Sequence, residues 1–175
     1  NLSALEQSLV QLLQRHETLR TSSAVVNEQP VQVIASGETF SLPVIDLQDH
    51  SPDEQESAVR QQIQQVHNRP FDLVQGPLFR ASLLRLAPQE SVLVLVLHHS
   101  IADGLSMNIL YQEVAAGYVV ACRGEAWHPA PLSIQYADYA VWQRQWLQGA
   151  ALDSLLTYWT GQLAGAPPQL SMPTD

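Results

Sequence analysis

The chain has 175 residues and a mass of 19.4 kDa, is 46% hydrophobic, and sets 17 acidic residues against 8 basic ones, all Arg, for a formal charge of −9. That apolar share supports a packed core and excludes a disordered chain, while the acidic balance argues against nucleic acid and against an anionic membrane surface as partners. No GxxxxGK[ST] or GxGxxG string offers a polyphosphate cradle, and no apolar run approaches the ~18–20 residues of a membrane span. A single cysteine, Cys122, excludes an internal disulfide framework and fits a reducing cytosol, so a cytoplasmic location is expected.

Taken in chain order, Ser3 with Glu6 fits a capping box, followed by Leu5, Leu9, Leu12, Leu13 and His16 at helical spacing. Short β-branched segments at Ser23–Val26, Val31–Ile34 and Leu42–Leu47 predict strands, separated by turns at Asn27–Pro30 and Ser36-Gly37. Ser51-Pro52-Asp53-Glu54 opens a second helix with a cap, an early proline and first-turn acids; Val59, Ile63 and Val66 share its apolar face, and it ends before Pro70. Leu78–Leu86 and Ser91–Leu97 predict a strand pair around Ala87–Glu90. The run Val92-Leu93-Val94-Leu95-Val96-Leu97 does not alternate with polar residues, so it predicts a strand buried on both faces.

Three further helices are predicted at about Leu105–Cys122, Ile134–Leu147 and Ala151–Leu163, and a Pro-punctuated strip from Ala166 to Asp175 closes the sequence. The class is α/β or α+β, with a mixed sheet carrying helices on at least one side. A chain that opens on a helix cap and closes in a connector predicts one lobe of something larger. Tyr136, Tyr139, Trp142 and Trp146 fall near one helical face, where a core role is the expectation. Cys122, at a helix end, is read as packing.

The chemistry concentrates where the most hydrophobic strand runs into His98-His99-Ser100-Ile101-Ala102-Asp103-Gly104 and then a helix. Two imidazoles at the end of a buried strand are costly unless hydrogen-bonded or used. An imidazole, which ordinarily titrates near ~6.5, can take a proton from an attacking nucleophile. Asp103 can orient a partner or fix the loop through a salt bridge, and Gly104, lacking a Cβ, lets a substrate approach the helix start. Other readings stand beside this one. The histidines can be satisfied core residues. A metal site would need a third and usually a fourth ligand beyond the two that the His-to-Asp spacing offers. Ser100 lacks the G-x-S-x-G elbow of a serine nucleophile.

Residues 98–104 match the HHxxxDG signature and so resemble the condensation domains of non-ribosomal peptide synthetases. Arg15–Thr21 is similar to that family's RHExLRT motif, Phe71–Arg80 to its FDLxxGPLFR segment, and Gln135–Gln143 to its QYxDYAxWQ segment. The stretch from Tyr158-Trp159 through Pro168 to Met172-Pro173-Thr174-Asp175 resembles its YW-x-x-x-L-x-G-x-P region. These motifs stand in the family's order. Its opening motif and its second half have no counterpart here, so the resemblance implies that residues 1–175 are the amino-terminal lobe of such a domain, lacking the first motif and the carboxyl-terminal lobe.

The resemblance implies a chloramphenicol acetyltransferase-like lobe, an α+β two-layer sandwich. It also implies amide-bond formation between a carrier-tethered peptidyl or acyl thioester and a carrier-tethered aminoacyl acceptor. His99 is the implied reaction-centre residue, as general base or as the group that positions the amine and stabilises charge. His98 is implied to be structural. Asp103 is implied to orient, as a buried carboxylate paired to Arg20 or else to Arg15; Gly104 is implied to admit a pantetheine arm. No cofactor or metal of its own is expected, since phosphopantetheine arms come with upstream and downstream peptidyl carrier proteins. A carboxyl-terminal lobe and an adenylation domain are the expected neighbours. The alternatives are a CoA- or carrier-dependent O- or N-acyltransferase of the same superfamily, and a non-catalytic docking or gatekeeping lobe. The isolated chain is expected to be inactive.

Overall fold

A computed structural model describes residues 1–36, 40–167 and 169. The turn at Ser36-Gly37 and the strip Met172–Asp175 therefore lie partly or wholly outside the described residues. The chain divides into two units, Asn1–Gln135 and Tyr136–Asp175.

In the first unit α1 spans Leu2–Arg15. Its cap is Asn1, whose side chain accepts from the Ala4 N–H at 3.2 Å, and not Ser3. Glu6, expected to close a capping box, instead accepts from the Leu42 N–H at 3.0 Å, tying the helix to the segment before the sheet. A single 3-10 turn over Glu17–Arg20 leads into a hairpin of β1 (Thr21–Val26) and β2 (Gln29–Ile34). The turn is two residues long, with Asn27 and Glu28 both at positive φ, the backbone twist that suits a tight hairpin.

The main sheet has the order β3-β4-β5, with β3 (Val44–Asp46) parallel and β5 (Glu90–Leu97) antiparallel to the central β4 (Phe79–Ala87). Helix α2 (Pro52–Asn68) forms the crossover between the parallel pair, the connection such a pair requires. Its start is fixed by the expected box: the Glu54 carboxylate accepts from the Ser51 N–H at 2.9 Å. The fold is thus mixed, a parallel and an antiparallel pairing in one sheet with helices against it.

The core explains why the β5 run does not alternate. Leu93, Leu95 and Leu97 pack toward the cluster built by α1, β4 and α3 (Gly104–Cys122), while Val92, Val94 and Val96 pack toward the cluster with Leu47, Leu84 and Val59 of α2. The expectation that β5 is buried on both faces holds in kind, since each face packs on a cluster, but only Val94 is fully buried and the other five apolar side chains are half-buried. Among the described residues β5 pairs with β4 alone and so lies at a sheet edge. The more deeply buried strand is β4, flanked by strands on both sides: Phe79, Ala81 and Leu83 serve one cluster and Leu84 the other.

Helices α1 and α3 meet at Ser8 and Gly117, where a Cβ on Gly117 would come 3.1 Å from that of Ser8. Cys122, expected to pack, is exposed at the end of α3.

The second unit holds α4 (Tyr136–Trp146) and α5 (Gly149–Gln162). Tyr136, Tyr139, Trp142 and Trp146 do line up, with successive ring centroids 5.7–5.9 Å apart and the last two rings stacked. The expected core role is corrected: all four rings are exposed, three of them by more than half. Helical spacing brings the rings together, but burial depends on a partner surface that spacing does not encode.

Candidate active site

The loop between β5 and α3 is fixed by its own backbone. The His98 N–H donates to the Leu78 carbonyl at 3.0 Å, continuing the ladder one residue past β5, and the Ile101 N–H donates to the His98 carbonyl at 3.0 Å. The Ile101 side chain, 7% exposed, is planted in the larger core cluster. His99 lies between these fixed points and is exposed.

The two imidazoles have different surroundings. The His98 ring meets the Phe71 ring edge-on, centroids 5.8 Å apart, and its Nδ1 accepts from the Ser100 N–H at 3.1 Å and lies 2.8 Å from the Ser100 hydroxyl. Ser100 is thereby engaged with His98. Phe71 is held in turn: the Arg80 guanidinium sits 3.9 Å from its ring centroid and donates to the Arg69 and Pro70 carbonyls. Next to it the Asp72 carboxylate accepts from the Val74 and Gln75 N–H groups at 2.8 and 3.0 Å. These two amides hold the Asp72 pKa below the usual carboxylate range.

His99 lines a groove of about 460 Å³ whose other walls include Ile63 and His67 of α2, Val96, Gly104 and Met107. A Cβ built on Gly104 would meet nothing within 4 Å, so the space over the head of α3 is open. Among the described residues, no three His, Cys, Asp or Glu side chains gather in a way that would hold a metal ion.

Asp103 departs from expectation. It is exposed and caps α3, accepting from the Ser106 N–H at 2.9 Å and the Ser106 hydroxyl at 2.6 Å. The Ser106 hydroxyl and then its amide hold the Asp103 pKa below the usual carboxylate range. The expected ion pair with Arg20 is not formed. Arg20 donates to the Ala35 carbonyl and reaches Glu17 at 3.5 Å. Arg15 does not take its place, for it bonds Glu113 at 3.0 Å and the Ala130 carbonyl at 2.6 Å. A short acid directly before a helix finds the free amides of the first turn closer than any cation.

The RHExLRT segment nevertheless reaches the site. His16 Nε2 lies 2.6 Å from the second oxygen of Glu113, so one carboxylate on α3 holds two consecutive residues at the end of α1. The Thr18 hydroxyl donates to the Ile101 carbonyl at 3.1 Å, inside the histidine loop. On the other side Gln135 donates to the Arg15 carbonyl at 2.9 Å and accepts from the Glu17 N–H at 3.2 Å. Thr18, Glu113 and Gln135 were missed in the sequence. Gln135 and Thr18 carried a signal, each lying inside a recognised motif, whereas Glu113 lies in none.

The family model described as "Condensation domain" matches residues 1–175. Malpinin synthetase of Mortierella alpina is 43% identical over 176 residues, all of this chain and 2% of that protein. Among solved structures, the X-domain from teicoplanin biosynthesis, also solved in complex with OxyB, superposes with a TM-score of 0.88 at 28% identity, over the whole of this chain and 38% of that one. The starter condensation domain of rhizomide synthetase RzmA gives a TM-score of 0.82 at 25% identity, over 95% of this chain and 40% of that one. The chain thus spans a few hundredths of its curated relative and about two-fifths of each solved domain.

Proposed function

This chain belongs to the condensation-domain family, and from that premise we propose that it supplies the histidine side of an amide-forming site in non-ribosomal peptide synthesis. The observation that carries this is His99, exposed over an open groove while the loop on either side of it is fixed by backbone hydrogen bonds. A loop whose backbone is already held in this way loses little freedom when a substrate arrives.

In the proposed reaction the α-amine of an aminoacyl thioester on a downstream carrier attacks the thioester carbonyl of an upstream peptidyl or acyl donor. A C–N bond forms, the C–S bond breaks, and the proton that the amine loses ends on the departing thiolate. His99 acts either as the base or as the group that holds the amine and stabilises charge in the tetrahedral intermediate. The Gly104 amide, at the head of α3, can face the developing oxyanion. The phosphopantetheine arms belong to the carriers, and the bare Gly104 surface leaves room for one beside the backbone. Residues 1–175 are read as the amino-terminal lobe alone, so turnover needs the partner lobe, and the isolated chain is expected to be inactive. An adenylation domain is an expected neighbour in a cytoplasmic assembly. No helix among the described residues is long and apolar enough to cross a membrane.

A docking or gatekeeping lobe is the second reading, supported by the likeness to an X-domain solved with a protein partner. The test presents the full-length protein with a donor-loaded and an acceptor-loaded carrier and reads the mass on the acceptor arm. Addition of the donor acyl group supports condensation. Transfer only from a CoA thioester to a free alcohol or amine points to the stand-alone acyltransferase alternative. No transfer with either donor, together with retained binding of a partner protein, points to docking.

A further inference from the structure

The histidine loop touches the rest of the fold at few points that a side chain controls. Its backbone bonds are local or follow the strand ladder, and the His98 ring turns back onto Ser100. The Thr18 hydroxyl comes from outside, from the turn after α1, and bonds the Ile101 carbonyl two residues past His99. The segment carrying Thr18 is itself braced. Arg15 and His16 hold Glu113 in the body of α3, and Gln135 pairs with the backbone on either side of His16.

Packing holds the Ile101 side chain, which is buried in the larger core cluster, while its carbonyl faces Thr18. Beside that carbonyl a half-open cleft of about 90 Å³ runs between Thr18, Ile101, Ala102 and Ser106. Packing anchors the side chain there, and a directional bond to the partly buried carbonyl orients the peptide.

The geometry points to Thr18 as a positioning residue for the reaction at His99: its hydroxyl sets the height of the Ile101 peptide and so the place of the imidazole over the groove. This rests on the reading of His99 as the reaction-centre residue. Thr18 touches no substrate; it acts through the loop.

The experiment uses the full-length protein, two loaded carriers and four variants, with kcat counted per folded molecule. Thr18→Val keeps the shape and removes the donor, and kcat should fall about tenfold, the worth of one ordinary hydrogen bond. KM for both carriers should stay within about twofold. Thr18→Ser, which keeps the donor, should retain kcat within about twofold of wild type. Thr18→Cys keeps the volume with a weaker donor, should fall between them, and carries the test if the valine variant does not fold. A wild-type kcat in the valine variant, or in the cysteine variant if that one carries the test, overturns the inference. So does a serine variant as impaired as the valine one, or a loss confined to KM. The fourth variant, His99→Ala, separates the two claims. An inactive His99→Ala beside an unimpaired Thr18→Val sinks the Thr18 role alone, whereas an active His99→Ala sinks the reading beneath it.

Discussion

The side-chain amide of Gln135 closes two bonds on the turn after α1, donating to the Arg15 carbonyl at 2.9 Å and accepting from the Glu17 N–H at 3.2 Å. A residue 120 positions away thereby satisfies a carbonyl at a helix end and an amide in the next turn, groups that a helix terminus leaves unpaired. Gln135→Ala removes both partners at once. The expected loss is about 1–3 kcal/mol of unfolding free energy, read from urea denaturation with an unchanged m-value. Gln135→Glu keeps the acceptor and loses the donor, and should fall between.

Glu113 answers two groups on neighbouring residues, Arg15 at 3.0 Å and His16 at 2.6 Å, with all three side chains less than a fifth exposed. Glu113→Ala leaves the largely buried Arg15 guanidinium with the Ala130 carbonyl as its hydrogen-bond partner among the described residues. A destabilisation of about 1.5–3 kcal/mol is expected, with a coupling between Arg15→Ala and Glu113→Ala that exceeds that of an exposed pair. A double-mutant cycle measures it.

Asp103 predicts a dependence on pH of definite sign. Its bonds to Ser106 lower its pKa in the folded state, so the ionised form stabilises the fold. That contribution is fully present above the ordinary carboxylate pKa and is lost as pH falls through the lowered folded value. Asp103→Asn should cap α3 comparably at neutral pH, because Asn is as good a cap as Asp. Its melting temperature, followed between about pH 6 and pH 2, should fall less steeply than that of wild type. A variant as steep as wild type would place the acid sensitivity elsewhere.

Gly117 lets α1 and α3 approach at Ser8, which is fully buried. Gly117→Ala sets a Cβ 3.1 Å from that of Ser8, so the helices must part by a few tenths of an ångström; Gly117→Leu forces a larger shift. A loss of about 1–3 kcal/mol is expected for the leucine variant and less for alanine. Ser8→Ala should change little, since its hydroxyl bonds the Leu5 carbonyl of its own helix.

Much of this molecule was legible in the sequence where local rules decide. The Ser51–Glu54 capping box, the Pro52 start, the strand pair around Pro88-Gln89 and the placement of the histidines at a strand end all follow from short-range pattern. What was not legible is pairing across the chain. Nothing in the spacing says that Arg15 will meet Glu113 and not Asp103, or that Asp103 will spend its oxygens on Ser106. Exposure was equally hidden: the rings of α4 form the expected stripe, yet lie open. The Val-Leu alternation of β5 was read for its lack of polar residues, while its real content is a leucine face and a valine face serving two different clusters.

The most direct measurement is the single-turnover rate of amide formation between two loaded carriers, catalysed by the full-length protein with His99 replaced by Ala. A group that takes a proton or stabilises charge at the reaction centre contributes about 10²–10⁴-fold, so the rate should fall by at least about a hundredfold while carrier binding and melting temperature hold. A His99→Ala protein that forms the amide at the wild-type rate contradicts the assignment.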